Sequence, residues 1–134
     1  MATYNKFNSF VEALAEKAHN LGSDTLKVAL TNSEPAATMT KLSELTGAIA
    51  SPALDSVTLT VSSSGQTSGT YKLVLADKTM TASGAVGPFR YVAIYNDTAA
   101  NDELIAWYDY GSEVTLASGD TFKLDFGDQL FSLA

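Results

Sequence analysis

"FRYVAIYNDTAANDELIAWYDY", residues 89–110, decides the fold. Two runs, "FRYVAIY" (89–95) and "LIAWYDY" (104–110), flank the polar "NDTAANDE", so a long hairpin is predicted. On period-two spacing, Phe89, Tyr91 and Tyr95 share one face of the first run, with Val92 and Ile94 on the other. In the second, Tyr108 and Tyr110 oppose Ile105 and Trp107. Both faces are apolar, and a strand apolar on both sides is covered on both sides. One cover is the internal core; the other is an N-terminal helix, or a partner.

Outward from this hairpin, simple alternation recurs. Leu26, Val28 and Leu30 alternate with Lys27, Ala29 and Thr31. Val57, Leu59 and Val61 alternate with Thr58, Thr60 and Ser62. Tyr71, Leu73 and Leu75 alternate with Lys72, Val74 and Ala76, and Phe122, Leu124 and Phe126 with Thr121, Lys123 and Asp125. Each pattern predicts a strand with one wet face. Shorter strands are expected at 78–82 and 113–117. Turns are expected at "SSSGQTSGT" (62–70), "ASGAVGP" (82–88) and "ASGD" (117–120). The sum is about eight strands in a mainly β, single-domain antiparallel β-sandwich, jelly-roll-like in spacing.

The front of the chain differs. Phe7, Phe10, Val11, Leu14, Ala15, Ala18 and Leu21 form one stripe of helical period, which predicts one N-terminal amphipathic α-helix over about 6–21. Ser9 to Glu12 fits a capping box, and Gly22 offers a left-handed stop. The sandwich then spans 24–127, interrupted by a long loop at 32–56 and followed by a short tail at 128–134. One helical turn is expected within the loop, between Thr40 and Thr46. Loops this long serve function or interfaces.

The chain has 134 residues, 46% hydrophobic and 17% charged, which suits one globular domain able to bury a core without staples. It has no cysteine, so disulfides, thiolate nucleophiles and Cys-ligated zinc are excluded. The opening Met-Ala-Thr-Tyr-Asn-Lys lacks the basic-then-apolar pattern of a signal peptide, and no apolar run approaches membrane-spanning length. The net charge of −7 opposes phosphate and anionic lipid, so neither nucleic acid nor membrane is an expected partner.

Motifs for chemistry are absent. His19 is the single histidine, and no G-x-S-x-G elbow accompanies it, so a helix-end role is expected rather than catalysis. Asp97, Asn101, Asp102 and Glu103 lack EF-hand spacing and read as a solvated loop, with no metal expected. No two of the fifteen acids stand out as a glycosidase pair. "SSSGQTSGT" lacks the P-loop lysine and a following helix. The expectation is a non-enzyme without cofactors.

The stretches "KFNSFVEALAEKAHNLGSDTLKVALTNSEP", "SSSGQTSGTYKLVLADKTMTASGAVGPFRYVAIYND" and "WYDYG" resemble small virion proteins of tailed bacteriophages, over residues 5 to about 127. The resemblance implies a head decoration, or cement, protein: a β-sandwich module assembling as a dimer or trimer on the outer capsid surface. It would be made in the host bacterial cytoplasm and would bridge subunits of the major capsid protein. A tail, neck or fibre component is the structural alternative; a carbohydrate-binding module using the aromatic hairpin is another. Candidate interface residues are Tyr4, Phe7, Phe10, Tyr91, Tyr95, Trp107, Tyr108 and Tyr110. Sugar binding predicts Trp107 or two tyrosines exposed and parallel on a flat face, whereas decoration predicts these rings buried. For the helix, the expectation is that its stripe closes the sandwich while its polar face and the N-terminal arm stay free for the capsid.

Overall fold

A computed structural model describes residues 3–49 and 52–133, so Ala50 and Ser51 of the long loop and Ala134 of the tail lie outside it. In chain order the elements are β1 (Thr3–Lys6), α1 (Ser9–Ala15), β2 (Leu26–Thr31), a 3₁₀ turn (Leu42–Glu44), β3 (Val61–Thr67), β4 (Thr70–Leu75), β5 (Lys78–Thr81), β6 (Val86–Asn96), β7 (Leu104–Leu116), β8 (Thr121–Leu124) and β9 (Phe131–Leu133). Every ladder is antiparallel. One layer is a four-stranded sheet in the order β1-β7-β6-β2; the other comprises β3-β4-β9 and the pair β5-β8. The chain is thus a mainly β antiparallel sandwich with one helix, as its alternation predicts.

The inner core lies between the layers. Val28, Leu30, Phe89, Val92, Ile94 and Ile105 from the large sheet meet Leu73, Leu75, Met80, Phe122 and Leu124 from the small ones. A second core lies on the outer face of the large sheet, where Phe7, Ala29, Tyr91, Ala93, Tyr95, Leu104 and Trp107 cluster. Its cover is neither helix nor partner but the long loop, through Leu45 and the partly buried Ala37, Met39, Leu42 and Ala48. Hydrogen bonds fasten this strap: Asn8 N donates to Ala37 O (2.9 Å), Leu104 N to Thr40 O (3.0 Å) and Leu42 N to Asp102 O (3.0 Å). Thr31 Oγ1 adds a donation to Thr46 O (2.6 Å). The one helical turn expected between Thr40 and Thr46 is the 3₁₀ turn.

Strict period-two counting misassigns two side chains, because the β6–β7 ladder is bulged. Ile94 pairs with Ala106 and Tyr95 with Leu104, so Ile105 is an extra residue. Ile105 therefore joins the inner core while Trp107 faces outward. A second irregularity, where Phe89 pairs with Val114 but Tyr91 with Asp109, places Phe89 inside and Tyr91 outside. The same ladder absorbs the expected strand at 113–117 into β7.

The helix is shorter than its stripe. It ends at Glu16, and Lys17 takes the left-handed conformation (φ 70°) that Gly22 was expected to supply. Ala18 N donates to Ala13 O (2.8 Å) and Lys17 N to Leu14 O (3.5 Å), the bonding of a Schellman end. No side chain caps the N-terminus, and Ser9 Oγ instead donates to Met39 O (3.5 Å). Phe10 and Leu21 are buried, but Val11, central to the stripe, is 50% exposed. The N-terminal arm is not free either: Thr3–Lys6 pair with Asp109 to Ala106 at the edge of the large sheet.

Three further departures are local. Residues 57–60 touch the outer edge of β2 through single bridges and bonds such as Leu59 N to Leu26 O (2.9 Å), and regular pairing begins only at Val61. The expected turn at 62–70 is mostly strand, reversing tightly at Ser68-Gly69 (φ 52° and 84°). Both central residues have positive φ, which matches the twist of a two-residue hairpin. The expected tail carries β9, paired to β4 through Tyr71–Leu133 and Leu73–Phe131. No helix among the described residues is long and apolar enough to cross a membrane.

Candidate functional site: a tyrosine groove

The eight aromatic candidates do not form one surface. Phe7, Tyr91, Tyr95 and Trp107 are sealed in the outer core, with Phe7 tilted on Trp107 at a centroid distance of 4.6 Å. Phe10 is buried in the inner core against Phe131 (5.1 Å, edge to face). Only Tyr4, Tyr108 and Tyr110 converge, and they do so on a groove of about 660 Å³.

Burial grades this groove. Its floor is Tyr108, Phe126 and Leu130, all buried; its walls are the half-buried Tyr4, Tyr110 and Gln129; its rim is the exposed Lys123, Asp125 and Gly127. β1 supplies Tyr4 and β7 supplies Tyr108 and Tyr110. The stretch from β8 to β9 brings the remainder. Tyr4 and Tyr108 are direct partners in the β1–β7 ladder, and their rings meet at 66° with centroids 5.6 Å apart. Tyr110 packs on Phe122 (4.8 Å) and donates its hydroxyl to Lys123 O (3.0 Å).

Burial raises all three phenols above their ordinary value, Tyr108 to about 12, with the neighbouring Tyr4 and Tyr110 hydroxyls and the Asp125 carboxylate adding to it. Each remains a neutral donor at any physiological pH. Tyr4 Oη is buried with no hydrogen-bond partner. Lys123 Nζ is drawn toward Asp77 (3.8 Å), while Asp125 takes part in no ion pair among the described residues and accepts from Gly127 N (2.9 Å).

A second groove, about 770 Å³ and open to solvent, runs past the end of the helix between Leu14, Lys17, Ala18, Tyr71 and Leu133, with His19 in its wall. His19 is the side chain to weigh there. Asn96 Oδ1 accepts from Thr98 N (2.9 Å) and Ala99 N (3.1 Å), which orients the amide. Asn96 Nδ2 then donates to both His19 Nδ1 (3.0 Å) and Asp24 Oδ2 (2.7 Å). Nδ1 is therefore the acceptor and Nε2 carries the proton. Nε2 is buried without a partner, and burial lowers the imidazole's pKa against the opposing pull of Glu103 and Asp24. A general base needs an exposed ring nitrogen facing a nucleophile. Here one nitrogen is committed and the other sealed, and Ser64 Oγ, also in this groove, bonds Tyr71 Oη (2.8 Å). The residue clasps the turn after the helix to the base of the β6–β7 hairpin.

The acidic hairpin loop is likewise knit into the fold. Asp97 pairs with Lys27 (3.1 Å), and Glu103 Oε1 accepts from Asn101 N (2.7 Å). Among the described residues no three His, Cys, Asp or Glu side chains gather as a metal set. Trp107 is only 6% exposed and the Tyr4 and Tyr108 rings are far from parallel, so the flat aromatic platform that sugar stacking needs is not formed by these rings.

No family model, curated protein or solved structure matches this chain.

Proposed function

We propose that this protein is a capsid decoration protein of a tailed bacteriophage, acting by adhesion to the outer surface of the assembled head and without catalysis. The observation that carries the reading is the tyrosine groove. It has an apolar, largely aromatic floor, half-buried tyrosine walls and a charged rim, the composition of an interface anchor. The resemblance of the sequence to small virion proteins is what supports the major capsid protein as the proposed partner. The net charge of −7 suits an outer surface and suits a DNA-facing one badly.

Adhesion of this kind works by mass action. A protein that binds only the assembled shell stabilises that shell, and many modest contacts act on one particle. Self-association as a dimer or trimer would add to this avidity.

Quantitative protein counting on purified virions tests the proposal. Hundreds of copies in fixed ratio to the capsid subunit are expected. A handful of copies would move the protein to the tail, neck or fibre, and absence from particles would overturn every virion role. A groove variant, Asp125→Lys at the rim with Gln129→Ala in the wall, should fold normally yet bind heads less well.

A further inference from the structure

β3 leaves one side of its backbone unused. It pairs with β4 alone, and no other strand, bridge or loop backbone bonds it among the described residues. Thr67 and Thr70 flank the two-residue turn as a hydrogen-bonded pair, so bonding alternates from there. Thr67 and Gly65 bond to β4, while the N–H and C=O groups of Ser64 and Gln66 point away from it. A partner can reach these four groups, since residues 62–67 are all exposed.

The other edges are guarded. β2 is closed by residues 57–60 and by Ile49. β1, β5 and β8 have four residues each and carry Lys6, Lys78 and Lys123, and β9 has only three residues. Short edges and edge lysines discourage pairing with another chain. β3 has seven residues and no charge. In a chain of net charge −7, the hairpin from 61 to 75 holds one charged residue, Lys72, so like charge does not oppose a second copy there.

Gly65 specifies the occupant. Glycine weakens a strand interior and marks places where another backbone comes close. Nothing within the chain asks for it: its φ is not positive, and a Cβ built on it would meet nothing within 4 Å. It lies midway between the two outward residues. When two β3 strands meet antiparallel across a two-fold centred on Gly65, Ser64 of each copy exchanges both bonds with Gln66 of the other, and every outward group is satisfied. Gly65 then faces its own copy at the narrow, non-hydrogen-bonded site, with about 4.5 Å between Cα atoms. A foreign strand is selected through pockets for its alternate side chains, and β3 offers serines, a glycine, a glutamine and a threonine instead.

We propose that β3 is a self-association edge, through which two copies join antiparallel about Gly65 into one continuous sheet. It supplies an interface for the self-association proposed above, yet it rests on the strand edge and not on head binding.

Analytical ultracentrifugation of the full chain over a concentration series tests it. A monomer–dimer equilibrium with Kd below about 100 μM is expected. Gly65→Glu should weaken the dimer at least about tenfold by setting two carboxylates opposite each other, while the monomer keeps its fold because the new side chain faces Lys72 in the β3–β4 ladder. Gly65→Lys should weaken it likewise, and an equal mixture of the two variants should restore it. The chain has no cysteine, so Gly65→Cys reads the register. Air oxidation should link two copies through position 65, whereas Thr67→Cys, about 14 Å from its own copy, should stay unlinked. Circular dichroism checks that each variant is folded. A monomer at every concentration, a dimer indifferent to Gly65→Glu, or equal linking at position 67 overturns the proposal. Dimerisation without head binding would sink the decoration role alone; head binding by a monomer would sink the β3 edge alone.

Discussion

Replacing Phe7 and Val11 by alanine, one at a time, separates what the helical stripe implies from what the packing does. Period counting puts both residues on the same apolar face, so both should matter equally. In the fold Phe7 is fully buried against Trp107 in the outer core, while Val11 is 50% exposed. Truncating a buried Phe removes its transfer free energy and leaves a cavity, about 3–5 kcal/mol together. Truncating a half-exposed Val stays within about 0.5 kcal/mol, typical of surface positions. At about 2.1 cal/mol/K per residue, 134 residues give an unfolding entropy of about 280 cal/mol/K. One kcal/mol then shifts Tm by roughly 3–4 °C. Phe7→Ala should lower Tm by about 10–18 °C, and Val11→Ala by no more than about 2 °C. Thermal unfolding followed by circular dichroism, with denaturant melts as a check, reads both. Equal losses would show that the helix packs along its whole stripe and that Phe7 is not the anchor of a separate outer core.

Other perturbations probe single features. His19 is held below its ordinary pKa, so the unfolded chain takes up a proton near pH 6.5 before the folded one does. Stability should fall as pH drops below about 6.5, by at most about 1.4 kcal/mol per pH unit, and level off below the folded pKa. The slope should be absent in His19→Gln over the same window; a slope that persists there would assign it to other groups. Gly87→Ala should cost at least about 2 kcal/mol, because its Cβ would meet Val114 O at 2.6 Å at φ +103°, whereas Gly111→Ala, with open space at φ +81°, should cost about 1–2 kcal/mol. Urea melts compare the pair, and equal costs would refute the steric argument. Tyr4→Phe should raise stability by about 1 kcal/mol by removing an unsatisfied buried hydroxyl, and a loss would reveal a partner for it. Deleting residues 1–22 should unfold the chain, since the segment contributes Phe7, Phe10 and Leu21 to two cores; a truncate that stays folded would return the segment to the surface.

Alternation carried the position of the regularly paired strands: β2, β4 and β8 stand where Leu26 to Leu30, Tyr71 to Leu75 and Phe122 to Leu124 put them. β2 is nevertheless buried on both faces, Ala29 lying under the long loop, and lacks the wet face that its alternation predicts. It failed where pairing is not regular. A bulge at Ile105 adds one residue, and every side chain beyond it changes face, which no count along one strand can show. β1 and β9 have four and three residues, too few to display a period. The helix stop at Lys17 carries no glycine signal: a lysine takes the left-handed position, and the Schellman bonds of Lys17 N and Ala18 N close the end. Of the groove, the sequence named the three tyrosines. It missed Phe126, Gln129 and Leu130, which lie at or beyond the end of the last patterned strand. Lys123 and Asp125 were legible in principle, since alternation places both opposite Phe122, Leu124 and Phe126.

The lone helix in a β chain is a consequence of the strand order. β1 and β2 are consecutive strands in the chain but stand at opposite edges of the four-stranded sheet, three strand spacings apart. At about 4.8 Å each, the connection must span about 14 Å. Seven helical residues cover about 10 Å of that. The path also changes sides: Phe7 packs in the outer core and Phe10, three residues on, in the inner one. The segment therefore fastens both faces of the sheet at one end while the strap covers the outer face. Between them they cover the apolar surface of the central strands, and the tyrosine groove lies beside the sheet's β1 margin, lined there by Tyr4.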